Sequence, residues 1–219
     1  CGAAGPSGCD NACGSTTADD AFGLCGGDGS LQAAIDAADA GSTINIPAGE
    51  YIERWPVLGA PHEWESLDED TLFVYALLSV GKMKARAEKF KRLNIPQHRL
   101  ATLVHPSANI GFNVKLGCGV VIAANTVLQP GTRVGDNCFI RANANLGHDV
   151  AVDDLVDIGP NSTLCGYAHI EEGVQIAPNS VVRDSVRVGM YSTVAAGAAI
   201  FKDVAPESTM LGNPAKRIR

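Results

Sequence analysis

Aromatic residues are scarce: Trp, Tyr and Phe make up 5% of the 219 residues, while Gly reaches 24. That balance suits a tightly stacked, turn-rich architecture better than one large globular core. With 46% hydrophobic and 19% charged residues, the chain can still bury a core. No run of 18 apolar residues occurs, so no membrane span is expected. The net charge is −7 and no basic stripe is present, so no nucleic-acid partner is expected. The cations Lys82, Lys84, Arg86, Lys89, Lys91 and Arg92 are spaced as the wet face of a helix. Among the seven cysteines there is no C-x-x-C pair, which removes the usual zinc spacing, and no metal is expected. The odd total speaks against a fully paired disulfide framework, and the expected compartment is the reducing cytoplasm. No initiating Met is present: the chain begins with Cys1 and its first Met is Met83. A fragment, a processed chain or an imperfect gene boundary is expected.

A repeat is present instead. Stepping by six from Ile110 gives Leu116, Ile122, Leu128, Val134, Ile140, Leu146, Val152, Ile158, Leu164, Ile170, Ile176, Val182, Val188, Val194 and Ile200, sixteen aliphatic positions without exception. The column four residues later, from Val114 to Val204, holds only small or β-branched residues. Gly, Asn, Asp and Pro fill the positions between. A period of six fits neither an α-helix nor an alternating strand. It fits a solenoid with three short strands per 18-residue coil, coils stacking at about 4.8 Å, where only stacking buries the core. An ice-binding surface would need a regular outward Thr ladder, whereas the outward positions are mixed, with Arg133, Asp136, Asp153, Asp154, Glu171 and Arg187.

Before the repeat, residues 71–78 read as a buried strand. Residues 82–93 read as an amphipathic helix with Met83, Ala87, Phe90 and Leu93 inward, ended by Pro96. Leu100 to Val104 reads as a short strand, completing a β-α-β fragment. Residues 1–30 lack periodicity and read as loop or tail. Residues 30–40 read as a short helix, and INIPAGEYI as a broken strand. The expected organisation is a divergent or disordered region over 1–55, a partial α/β domain over 56–105, the solenoid over 106–206 and a tail over 207–219.

Five histidines are present. His148 follows the inward Leu146 by two positions, so it lies at a turn and faces outward. Asp149 beside it supplies a carboxylate able to fix an imidazole tautomer, and an unperturbed imidazole titrates near neutrality, as a general base requires. Gly166 follows His148 by one full coil of the repeat and so stands directly above it. The offset from His148 to His169 is not a whole number of coils. The two therefore do not share a column, which excludes the three-His zinc site that another solenoid class uses.

VLG at 57–59, ATLVHPSANIG at 101–111, GHD at 147–149 and GNPAK at 212–216 occur in an order that resembles the hexapeptide-repeat sugar acetyltransferases, the sialic-acid O-acetyltransferases and nucleotide-aminosugar N-acetyltransferases. The resemblance runs from about Pro56 to Arg219. It implies a left-handed parallel β-helix, acetyl-CoA as acyl donor, a sugar or nucleotide-sugar acceptor and a homotrimer with sites between subunits. It assigns His148 as base and Asp149 as its acidic partner, with the Gly166 N–H on the acyl oxygen. Ala177, Pro178, Ala195, Ala196 and Gly197 would line the donor groove, with Asn213, Pro214 and Lys216 closing over CoA. Two positions depart from the pattern. Asp157 stands where a second His is common, and Arg141, with Asn143 nearby, stands where an acceptor-binding Asn is common. The step from His148 to Asp157 is half a coil, so the two could share a site only across a subunit interface. The phosphate-cradling turn of the family's N-terminal domain is not recognisable in GAAGPSG at 2–8. A catalytically inactive or purely structural solenoid is the alternative these departures leave open.

Overall fold

The computed structural model describes residues 51–52, 55–56, 61–76 and 81–219. The expected tail over 1–30 and helix over 30–40 lie outside the described residues, as do the Gly-rich stretch at 2–8 and VLG at 57–59. The chain divides into two compact units, Cys1–Phe73 and Val74–Arg219. In the first, Tyr51–Ile52 and Trp55–Pro56 pair as a short antiparallel hairpin. Pro61–Ser66 is a 3-10 helix whose buried Trp64 meets the Phe73 ring edge-on at 6.0 Å.

The second unit is a parallel β-solenoid preceded by one helix. Each strand is a pair, the outward residue and the inward aliphatic that follows it, and bonds to the equivalent strand one coil further on. Asn145↔Thr163 and Leu146↔Leu164 set the register on one face, Ala151↔His169 on the next and Asp157↔Gln175 on the third. The three stacks are here called the first face (from Leu103–Val104 upward), the second (from Asn109–Ile110) and the third (from Lys115–Leu116).

The hexad explains this geometry. The inward column from Ile122 to Ile200 is buried throughout, each Ile or Leu contributing about 1.5–3 kcal/mol by leaving water. Ile110, in the lowest coil, is 39% exposed because no coil lies beneath it. Between strands the chain turns through one left-handed residue every six positions: Asn113, Gly119, Asn125, Gly131, Asn137 and so on, with φ between 54° and 79° in these five. Asn and Gly tolerate that conformation best, which is why they recur there. The small residue that follows fills the corner. Where it is Ser or Thr, its hydroxyl donates to a carbonyl of the next coil, as Ser162 to Ala177 (3.0 Å) and Ser180 to Ala195 (2.9 Å).

Three expectations change in the segment before the repeat. Thr71 and Phe73 to Tyr75 are buried, but no strand forms over 71–76. Tyr75 packs on the helix instead, its hydroxyl donating to the Arg86 carbonyl at 3.1 Å. The helix runs Met83–Leu93 and ends on Asn94 in the left-handed region. Arg86, expected on its wet face, is buried. Its guanidinium donates to the carbonyls of Leu155 (2.8 Å) and Asn137 (3.1 Å), two acceptors at a coil corner that one fork satisfies together. The strand expected over 100–104 is only Leu103–Val104, and it pairs with Val121–Ile122 as the lowest rung of the first face rather than closing a β-α-β unit.

Lys91 to Glu172 and Lys84 to Glu207, both at 2.8 Å, tie the helix to the solenoid. At the top, Thr209–Leu211 adds to the first face and turns back antiparallel as Lys216–Arg217. Met210 and Ala215 pack on the core there, so the C-terminal segment caps the last coil.

Candidate active site

His148 and Asp149 occupy the corner between the second and third faces. Leu146 points into the core, so the two residues after it must turn outward, and the His148 side chain is 52% exposed. Its Nδ1 lies 3.1 Å from Asp149 Oδ2. A carboxylate there accepts the Nδ1 proton, and the tautomer this assigns leaves the Nε2 lone pair free.

Asp149 adopts the left-handed conformation, φ 55°, with its N–H bound to the Pro130 carbonyl one coil below. Two glycines make room for the pair. A Cβ on Gly131, one coil below, would collide with Asp149 Oδ1. A Cβ on Gly166, one coil above, would meet His148 Nε2 at 2.6 Å and Cε1 at 2.8 Å. The dyad is thus held between two positions where any side chain would collide with it.

The Gly166 N–H has no hydrogen-bond partner among the described residues. At the neighbouring corner the N–H groups in the same hexad position, those of Cys118 and Asp136, donate to the Asp Oδ1 one coil above. Above Gly166 the equivalent residue is Asp184, whose Oδ1 receives Arg183 Nε at 3.3 Å instead. A free backbone donor therefore sits one coil above an imidazole with a free lone pair, the arrangement that stabilises an oxyanion while a base removes a proton.

The other residues singled out from the sequence fall elsewhere. Ala177, Pro178, Ala195, Ala196 and Gly197 line the corner between the first and second faces. Asn213 and Pro214 lie in the turn above them and Lys216 opens the strand that follows, anchored by Ala195 N–H to Met210 O (2.9 Å) and Ala199 N–H to Gly212 O (3.0 Å). Pro178, Ala196, Gly197, Asn213, Pro214 and Lys216 are exposed. Asn143 turns the same corner lower down with φ 59°.

Arg141 Nε lies 2.8 Å from Asp157 Oδ1, and Gln175 Nε2 donates to Asp157 Oδ2 at 3.2 Å. Asp157 is 3% exposed. This cluster and the His148 corner sit across the second face from one another, so one protomer does not bring them together.

Sequence reasoning missed two members of the His148 corner. Gly131 precedes Asp149 by the same single coil that separates His148 from Gly166, and that spacing could have found it. Tyr167 stands one coil above Asp149 in a position otherwise suited to Asn, Gly or Ser, and its ring is perpendicular to the imidazole at 4.9 Å.

Residues 131–166 and 167–202 match the family described as bacterial transferase hexapeptide (six repeats). The acetyltransferase domain of PglB from Neisseria gonorrhoeae is 28% identical, with a TM-score of 0.71 over 81% of this chain and 86% of that one. The same domain in complex with acetyl coenzyme A is 27% identical, with a TM-score of 0.72 over 86% of this chain and 95% of that one. A perosamine N-acetyltransferase from Caulobacter crescentus, in complex with CoA and GDP-perosamine, shares the fold at 21% identity and a TM-score of 0.68, over 81% and 84% of the two chains. No curated protein matches the sequence. Repeat, coil register and structural likeness agree: residues 131–202 carry the bacterial transferase hexapeptide repeat, on a fold similar to that of known acetyltransferases.

Proposed function

We propose that this protein transfers an acetyl group from acetyl-CoA to an amine or hydroxyl of a sugar or nucleotide sugar, with His148 as general base. The observation that carries this reading is the His148–Asp149 pair lodged beneath Gly166. His148 Nε2 takes the proton of the acceptor as its nitrogen or oxygen attacks the thioester carbonyl. Asp149, on Nδ1, keeps the productive tautomer and stabilises the imidazolium. The Gly166 N–H receives the oxyanion of the tetrahedral intermediate. The intermediate collapses by breaking its C–S bond, and the imidazolium returns the proton to the departing CoA sulfur, which restores the base.

The small residues Ala177, Pro178, Ala195, Ala196 and Gly197 suit a pantetheine arm lying along backbone, with Asn213, Pro214 and Lys216 folding over it. The arrangement of faces supports a homotrimer. Only a second protomer can bring the corner of Arg141, Asn143 and Asp157 to the corner of His148, and there these residues would meet the acceptor. The acetyltransferase domain solved with acetyl coenzyme A supports the donor, and the perosamine enzyme solved with GDP-perosamine gives the acceptor class to test first.

The deciding assay is release of CoA thiol from acetyl-CoA across a panel of nucleotide aminosugars and sialic acid. Release with an acceptor is expected, falling by about 10²–10⁴-fold in His148→Ala while acetyl-CoA binding persists. Undiminished turnover in His148→Ala would remove the base from the mechanism.

A further inference from the structure

Tyr167 is out of place by the rules that govern the rest of the solenoid. It occupies the left-handed corner position with φ 59°, where the fold otherwise mostly places Asn, Gly, Asp or Ser, because a bulky side chain fits that conformation poorly. The other corner tyrosine, Tyr191, is accounted for by its surroundings. Its hydroxyl donates to Glu172 Oε1 at 2.7 Å, the ammonium of Lys84 lies 6.0 Å from its ring, and Gly173 beneath leaves the ring its space. The Tyr167 hydroxyl has no such partner among the described residues, and the residue is 60% exposed.

What Tyr167 does contact is His148, twice. Its N–H donates to the His148 carbonyl at 3.0 Å, and its ring stands perpendicular to the imidazole with centroids 4.9 Å apart. Asp149 holds the imidazole only at Nδ1, and Gly166 leaves space at the Nε2 end without filling it. Neither stops the ring from swinging toward solvent. We infer that Tyr167 is the positioning residue of His148, the aromatic wall that keeps Nε2 under the Gly166 N–H. The inference rests on His148 being the base.

Two substitutions separate this role from a structural one. Tyr167→Asn places at the corner the residue that turns this same corner at Asn113 and the neighbouring one at Asn125, Asn143 and Asn161, so the fold is kept and only the wall is lost. The expected result is a kcat lower by about ten- to a hundredfold, the order that follows from ångström-scale misplacement of a catalytic group. The KM values for acetyl-CoA and acceptor should stay within about twofold, since nothing that binds either is removed. Tyr167→Phe, which keeps the ring, should restore kcat to near the starting value. The amplitude of His148 ring motion, read by NMR 13C relaxation of Cδ2 and Cε1, should rise in Tyr167→Asn while that of His169 stays.

An unchanged kcat, or an acceptor KM that rises with kcat intact, overturns the inference, the second result making Tyr167 a substrate-binding residue instead. His148 ring motion unchanged in Tyr167→Asn overturns it irrespective of turnover. If the unsubstituted protein acetylates no acceptor, the proposed reaction falls separately, and the ring-motion measurement alone decides whether Tyr167 holds the ring.

Discussion

Gly166 offers the sharpest test of how the site is built, because Gly166→Ala keeps the backbone donor and changes only the space. Gly166 is not among the residues with positive φ, so alanine meets no backbone penalty. The added Cβ would lie 2.6 Å from His148 Nε2 and 3.1 Å from Cδ2. Ordinary contact begins near 3.4 Å, so the imidazole must retreat by about 0.8 Å. Its side chain is 52% exposed, so it can do so by swinging toward solvent rather than by deforming the coil. A displacement of that size costs on the order of 10²-fold in turnover, while a partly exposed surface side chain that moves costs little stability, within about 0.5 kcal/mol. The expected outcome is a kcat about two orders lower, a thermal midpoint nearly unchanged and acetyl-CoA affinity within a few-fold. A double-mutant cycle refines it: in a His148→Ala background the added methyl should lower kcat no further, since its only effect runs through the displaced ring. Full activity in Gly166→Ala, or an equal loss with and without His148, would refute the steric argument.

Other outcomes follow from the same architecture. Ile158→Ala empties a fully buried site that pairs in register with Ile140 below and Ile176 above, and should cost about 2–5 kcal/mol in urea unfolding; a loss under about 1 kcal/mol would mean the interior repacks. Asp157→Asn breaks the ion pair with half-exposed Arg141 and should cost about 1–2 kcal/mol by the same method, a charged hydrogen bond discounted for that exposure. Burial pushes the Cys138 thiol up to about 12, so at pH 8 alkylation should mark the partly exposed Cys118 and Cys165 and spare Cys138 until unfolding. Acetyl-CoA should slow labelling of Cys165, next to Gly166, and not of Cys118. Burial and the hydrogen bond to Glu172 push Tyr191 up to about 12 from an ordinary 10. The native state therefore keeps that proton longer than the unfolded chain, so the contribution is whole below pH 10 and is lost as pH rises toward 12. Tyr191→Phe should flatten that alkaline loss when denaturation midpoints are plotted against pH.

The solenoid is legible in the sequence because each hexad position has a single role, as inward aliphatic, left-handed turn or small corner. The same period places Gly166 over His148. What periodicity does not carry are effects set by side-chain direction. In the sequence Arg86 is one cation among several on a wet helix face, and only the corner carbonyls of Leu155 and Asn137 explain its burial. Gly131 has the look of a turn glycine, yet it also clears space for Asp149 Oδ1, a fact that depends on how a carboxylate rotates one coil away. On sequence alone Arg141 and Asp157 are departures at an acceptor site. In space they make the diagonal step between adjacent coils that also joins Asp153 to His169 and Glu171 to Arg187. Each of these pairs has a sequence separation of 16. That step is a usable rule for solenoids of this kind: opposite charges so spaced on adjacent coils should be tested for mutual pairing before either is assigned to a ligand.

The same regularity explains why the chemistry falls where it does. Inward positions are closed by packing, so polar side chains gather either where outward strand residues stack from coil to coil, as Asp157 and Gln175 do, or where corners stack, as around His148 and Asp149. A corner is also where backbone N–H groups lack a ladder partner, and the protein fills some of them with an Asp from the coil above. At the His148 corner that filling is withheld: Gly166 stands where a capping carboxylate could have reached down. Placing an Asp there would satisfy the His148 N–H, as it satisfies Cys118 and Asp136, and would destroy the imidazole's space in the same step. The rule that stabilises one corner is therefore incompatible with the dyad at the other, where Gly166 gives up the capping carboxylate and leaves the imidazole its space.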